Sequence, residues 1–348
     1  MTRVNMLMNV FRNKNSLKTL TVIALVNITL FTAACSNNEI KTDAITANWQ
    51  SVASQGNLAA RHEAGFINVG KQLYLLGGRK IKPINVYDPS TNLWQEKAKP
   101  PIEIHHFQPV VFENKIYVIG AMTGKFPNEV PLKHILIYSP ETDLWTIGDE
   151  IPLPRRRGGS GVSLFNNKMY ISGGITQGHM TGTVPWFDEY DPKTGTWQIL
   201  PDMPNKRDHF QSAIIQHKLY AAGGRKTSVK TKHIFDLVVN EVDIYDFTMN
   251  KWTTAVSPLP TGRAGNTTIA VDNKLWVIGG ESATQKVAHN EVEIFSVLEN
   301  KWLKGPSLIT GRHGTGAAIV DDVLWTASGS GNRGGKPELY SLEKITVR

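Results

Sequence analysis

The side chains with chemistry to offer recur at a few fixed places in the chain. Arg79 and Arg225 directly follow the glycine pairs Gly77-Gly78 and Gly223-Gly224, and Glu281 follows Gly279-Gly280. Five arginines, Arg61, Arg157, Arg207, Arg263 and Arg312, each stand sixteen residues before the first position of a glycine pair or its variant. Two residues beyond that arginine position, and so on the same face of a strand, come Glu63, His106, Gly159, His209, Gly265 and Gly314. Guanidinium groups hold carboxylates and phosphates through charge-assisted hydrogen bonds, while Glu and His can exchange protons. Convergent groups of this kind could hold an anion or act on one. His62, His105 and His313 lie beside the same strand starts. The histidines have no tight ligand spacing and belong to different repeats, so neither a metal centre nor a cofactor is expected.

The elements that position these groups show as a repeat of about 50 residues. The glycine pairs, with the variants Gly120-Ala121 and Ser328-Gly329, each close an apolar run. An aromatic stands three residues earlier in all six units: Tyr74, Tyr117, Tyr170, Tyr220, Trp276 and Trp325. A later aromatic, Tyr87, Tyr138, Tyr190, Tyr245 or Phe295, is followed after seven residues by Trp94, Trp145, Trp197, Trp252 or Trp302. Each unit reads as four short strands. The first two are joined by a turn such as Asp272-Asn273, and the last two by one such as Asp191-Pro192-Lys193-Thr194-Gly195. A lone sheet of this kind cannot bury its faces, whereas radially arranged sheets cover one another. The last unit, with Tyr340 taken as its later aromatic, reaches the chain end before a fourth strand can form. Trp49, unassigned upstream, supplies that strand and closes the ring.

The glycine pair, the aromatic spacing and the Tyr-to-Trp interval together resemble the kelch family from about residue 48 to 348. The resemblance implies an all-β, six-bladed kelch β-propeller closed by pairing an N-terminal strand with the C-terminal blade. It also implies that the strand-start arginines bond to neighbouring loop carbonyls. Kelch adaptor proteins draw pocket residues from the strand position two beyond the arginine and from the position just past the glycine pair. Carried over, these are Glu63, His106 and His209, and Arg79, Arg225 and Glu281. More distantly, the chain resembles exported kelch proteins of the N-acetylneuraminate epimerase type, which interconvert sialic acid anomers. Under that reading Glu281 is the acid–base, although the family's own catalytic position falls on Arg225. A copper radical oxidase is excluded, because it needs a cysteine cross-linked to tyrosine and the one cysteine is Cys35.

The loops between the second and third strands of each unit share one rim with the strand starts. Segments 79–82, 122–134, 175–186, 225–240, 281–290 and 330–337 hold twelve Lys or Arg against three acids, Glu129, Asp236 and Glu281. A basic mouth of this kind, in which Arg225 is expected to be an exposed loop arginine, suits an anionic ligand. The expected function is non-catalytic binding of an anionic glycan or an acidic protein partner by a monomer.

The N-terminus reads as an address. Residues 1–19 are basic and polar, and the apolar run Leu20–Ala34 is too short to span a bilayer as a helix. Thr32-Ala33-Ala34-Cys35 resembles the bacterial lipobox, which implies lipidation of Cys35 by palmitate-type acyl chains after removal of residues 1–34. Residues 35–47 then form the lipidated cysteine and a polar tether, and residues 48–348 the propeller. The result is a lipoprotein at the cell envelope, sorted to the outer membrane where there is one. The formal charge of +8 includes four basic residues of the leader, which holds no acid, so about +4 remains after cleavage. That and export argue against nucleic acid as a partner. Cys35→Ser should leave the protein soluble or uncleaved in cell fractionation; a cleaved Cys35→Ser chain that still pellets with membranes would overturn the anchor.

Overall fold

The computed structural model describes residues 47–347. The leader, Cys35 and most of the tether lie outside these residues. Six antiparallel four-stranded sheets form the blades of a propeller, and one of them carries an additional short strand. In the fifth blade, for example, Thr267–Val271 is innermost, followed outward by Lys274–Ile278, Val292–Ser296 and Lys301–Lys304. The innermost strands of successive blades touch in a closed circuit, from Ala64–Val69 through the fifth blade to Ala317–Val320 and back to Ala64–Val69.

The repeating aromatics do what a radial stack requires of them. Tyr87 and Trp94 face each other across neighbouring strands at 5.1 Å between ring centroids, and Tyr190 and Trp197 at 5.0 Å. Such pairs then pack against the next sheet. Tyr87 and Trp94 of the first blade share a buried cluster with Val320, Trp325 and Leu342 of the sixth. Tyr138 of the second blade is buried with Tyr74 and Leu76 of the first. Burial of this apolar surface between blades is the main driving force for the ring.

Closure follows the expected route. Gln50 and Ser51 pair antiparallel with Lys344 and Glu343, which makes them the outermost strand of the sixth blade. Trp49 is buried beside Trp276, Leu308 and Ile345. Its Nε1 donates to the Pro306 carbonyl at 3.0 Å. Trp252 and Trp302 likewise donate to Pro201 and Ser257 in the segments that follow the preceding blades, so Trp49 plays the same part at the seam.

One assignment needs correction. The sixth blade's third strand is Leu342–Thr346, and Ile345, paired with Leu324, takes the place held by Tyr87 and Phe295 elsewhere. Tyr340 is 74% exposed and lies before that strand. An aliphatic residue fills the slot as well as an aromatic, because the site demands apolar volume rather than a ring.

Trp49→Ala should cost about 3–5 kcal/mol, the usual penalty for truncating a buried tryptophan. Urea unfolding with an unchanged midpoint would show that the seam bears no load.

Candidate functional site

The five strand-start arginines are buried and structural, as the resemblance implies. Arg207 Nη1 donates to the Gly223 carbonyl at 2.8 Å and Nη2 to Asp243 at 2.8 Å. Arg157 donates to Gly173 and pairs with Asp188, Arg263 donates to Val277 and pairs with Glu293, and Arg312 donates to Ser328 and pairs with Glu343. Arg61 bonds Gly77, Pro83 and Asn85. Each guanidinium ties the end of its blade's second strand to its third.

Just inside the arginines the chain turns at the axis. Glu63, His106, Gly159, His209, Gly265 and Gly314 all have positive φ, between 55° and 65°. They join into a ring of backbone hydrogen bonds: His106 N to Glu63 O, Gly159 N to His106 O, His209 N to Gly159 O, Gly265 N to His209 O and Gly314 N to Gly265 O, with Ala64 N closing on Gly314 O. A narrow space of about 30 Å³ lies within the ring.

The loops above build a funnel of about 730 Å³ that opens on one face. The short hairpins Met122–Thr123/Val130–Pro131 and Ile175–Gln177/Thr181–Thr183 and the 3-10 turn Val229–Thr231 form parts of these loops. Glu63, Arg79, His106, His179, Arg225 and Glu281 reach its floor and lower wall, while Lys80, Lys125, Ile81, Phe126, Ile234 and Phe235 line it higher up. Arg225 lies over the Phe235 ring, with Arg333 also against that ring.

Five of the six expected pocket residues thus line the funnel, and His209 lines the axial space beneath it, but not all in the expected state. Arg225 is 2% exposed, not a free loop arginine. Its Nη1 pairs with Glu281 Oε1 at 2.5 Å and its Nε donates to Thr227 Oγ1 at 2.9 Å. Arg79 pairs with buried Glu129, and Lys82 with Glu338. The rim's excess of cations is thus partly neutralised by acids, some of them in segments the loop boundaries left out, such as Glu338.

Burial would raise the Glu281 carboxyl, but His313, Arg225 and the Gly334 N–H outweigh it and hold it at about 2. That makes Glu281 a weak base, locked in an ion pair. Burial likewise opposes ionisation of Asp208, yet His209, Arg225 and Thr183 bring it to about 2. Burial, Arg79 among its neighbours, lowers His105 to about 4. Burial and the adjacent imidazoles push His106 well below its ordinary value, and burial with Arg225 lowers His209.

Histidines without close sequence spacing converge all the same. His106, His179 and His209 belong to three different blades, yet each offers a ligand atom within 4.8 Å of the others. In a closed ring, residues far apart in sequence meet at the axis. His179 was missed because it sits in the third blade's loop rather than at a repeat position, and Asp208 because it is hidden beside His209.

The family model described as the Attractin/LZTR1 β-propeller matches residues 30–287. Among curated proteins, Kelch-like protein terF of Aspergillus terreus is 28% identical over 284 residues, covering 74% of this chain and 59% of that protein. Alpha-scruin of Limulus polyphemus is 26% identical over 244 residues, covering 66% of this chain and 25% of that protein. The chain thus spans less than two thirds of each of these relatives. A solved structure titled "Structure of YjhT" superposes with a TM-score of 0.69 at 16% identity, covering 84% of this chain and 99% of that one, a likeness of fold. The epimerase reading gains no support from these comparisons.

Removing Arg225 leaves a buried carboxylate unpaired, so Arg225→Ala should cost about 3–5 kcal/mol, and the small effect on folding expected of an exposed loop arginine does not apply. Glu281 has a depressed pKa in the fold, so its contribution is complete above the ordinary Glu value of 4.5 and is lost as pH falls through about 2. Glu281→Gln should flatten the fall of the urea midpoint over that window; an unaltered acid limb would show that the pair does not couple to stability.

Proposed function

The chain belongs to the Attractin/LZTR1 β-propeller family, within the kelch-repeat propellers, and on that premise we propose that it is a non-catalytic binding module whose funnel takes an anionic ligand, a glycan acid before an acidic protein segment. The observation that carries this reading is the pairing of surfaces in the funnel. Lys80 and Lys125 stand beside the apolar Ile81, Phe126 and Phe235, above a floor of charged groups already engaged with one another. Ligand sites commonly combine apolar walls with a few placed polar groups. A sugar ring has an apolar face to lay on Phe126, which is 53% exposed, and its carboxylate finds the two lysines without breaking the buried ion pairs below. Kelch propellers are typically protein-interaction scaffolds, which supports the acidic segment as the other occupant.

Export and acylation at Cys35 belong to the same proposal. They would hold the propeller at the cell envelope, where anionic glycans and acidic partners are met.

Screening the full chain, in detergent, against anionic sugars and a glycan array should yield binders that weaken as salt rises. Lys80→Ala/Lys125→Ala should weaken a binder roughly 10-fold, equal to about 1.4 kcal/mol, with the melting curve unmoved because both lysines are exposed. Wild-type affinity in that double variant and in Phe126→Ala would place the site elsewhere.

A further inference from the structure

Three imidazoles meet above the axial ring. His106 and His209 hold ring positions in the second and fourth blades, and His179 comes from the third blade's loop. Their ring centroids lie 4.8 Å (His106–His209), 5.0 Å (His106–His179) and 4.7 Å (His179–His209) apart, at interplanar angles of 81°, 73° and 61°. All three residues are buried.

The outer nitrogens decide which inner atoms are free. His209 Nδ1 is 2.5 Å from Asp208 Oδ1, and His179 Nδ1 is 3.0 Å from Glu129 Oε1, off the line of an ideal bond. A nitrogen lone pair cannot face a carboxylate so closely, so each Nδ1 carries the proton. His105 Nε2 is 3.1 Å from the Gly124 carbonyl and 3.4 Å from Arg79 Nη1, so it donates to the first in one tautomer and accepts from the second in the other. In the first of these tautomers His105 Nδ1 accepts from His106 Nδ1–H at 2.6 Å. His179 and His209 thereby turn an Nε2 lone pair inward, and His106 does so in the tautomer that donates to His105. His179 Nε2 and His209 Nε2 face each other at 3.0 Å, and His106 Nε2 faces Glu63 Oε2 at 3.3 Å. Lone pairs at these distances repel unless a proton or a metal ion lies among them.

The backbone makes the same point independently. Every blade turns at the axis with positive φ, and three of the six blades use glycine there. His106 (φ 55°), His209 (φ 55°) and Glu63 (φ 56°) accept a strained conformation instead. Side chains kept where glycine fits best mark positions with a task for those side chains.

We infer that Nε2 of His106, His179 and His209 bind one divalent transition-metal ion of the zinc type, with a further coordination position open to the funnel. The donor set is neutral imidazole with no thiolate, which suits zinc, copper, nickel or iron and disfavours calcium and magnesium. A tetrahedral zinc site places its nitrogens about 3.4 Å apart, and small rotations of these rings reach that from the observed spacing. Asp208, Glu129 and His105 are the outer partners that fix the tautomers of such ligands. Glu63 stands at the edge of the open position. This inference does not depend on the anionic ligand, since it is read from metal content alone.

The test uses the full chain in detergent, stripped with a chelator, dialysed, and titrated with Zn²⁺ in competition with a chromophoric chelator. One equivalent should bind tightly and raise the melting temperature. His106→Gly/His209→Gly, which relieves the backbone and so keeps the fold, should weaken Zn²⁺ at least ~100-fold, while Asp208→Asn should weaken it about 10- to 100-fold. Absence of stoichiometric Zn²⁺ and of any thermal shift in the wild type, with none for Cu²⁺ or Ni²⁺ either, would overturn the inference. It would then assign the close His179–His209 contact to a shared proton. Equal Zn²⁺ affinity in the double glycine variant would overturn it as well.

Discussion

The burial of one guanidinium in each of five blades is the constraint on which the rest of the molecule leans. A charge removed from water must have its hydrogen bonds supplied by the protein. At Arg207 these come from the Gly223 carbonyl and Asp243, and at Arg312 from Ser328 and Glu343. The second strand's end, the third strand's start and the approach to the axis are thereby fixed to one another in these five blades. The second blade has Ile104 at this place. It is buried, and its carbonyl accepts from Gly78 of the first blade. With the strand ends fixed, the axial turns and the loop exits above them have little freedom, and a funnel results where the loops meet.

The funnel floor follows from the same economy of space. Six strand starts approach one axis, and side chains large enough to meet there must satisfy one another. Arg225 with Glu281, Arg79 with Glu129, and His209 with Asp208 do so. This separates two zones: a buried, paired floor whose charges serve geometry, and an upper wall where Lys80, Lys125 and Phe126 still face solvent.

The propeller was legible because its determinants are local and periodic. Arginine, glycine pair, aromatic and tryptophan each serve one blade, and each recurs with that blade. Trp49 stood out because it had the right type with no blade of its own. The expectation went astray where long loops act across the ring. Tyr340 sat at a plausible distance from its glycine pair, but the strand pairing prefers Ile345. Arg225 read as exposed because nothing nearby in sequence tells that Phe235 and Glu281 fold over it. His179 carried no periodic signal, since it is a feature of one loop in one blade. The ring positions Glu63, His106 and His209 were found, but their convergence with His179 depends on the closure of the whole circle.

The seam between Gln50–Ser51 and Leu342–Thr346 also bears on the order of folding. The other blades can assemble from neighbouring segments as these become available. The sixth must bring together stretches from opposite ends of the propeller, as the Trp49–Pro306 bond, spanning 257 residues, illustrates. Contacts that distant in sequence form slowly, because the intervening chain must be ordered before they are rewarded. During that interval the outer edge of Leu342–Thr346 and the indole of Trp49 are both uncovered. An unpaired strand edge beside an exposed tryptophan is a template for joining another chain. The molecule is therefore most vulnerable to association with its own kind just before the circle completes, and completion removes both surfaces at once.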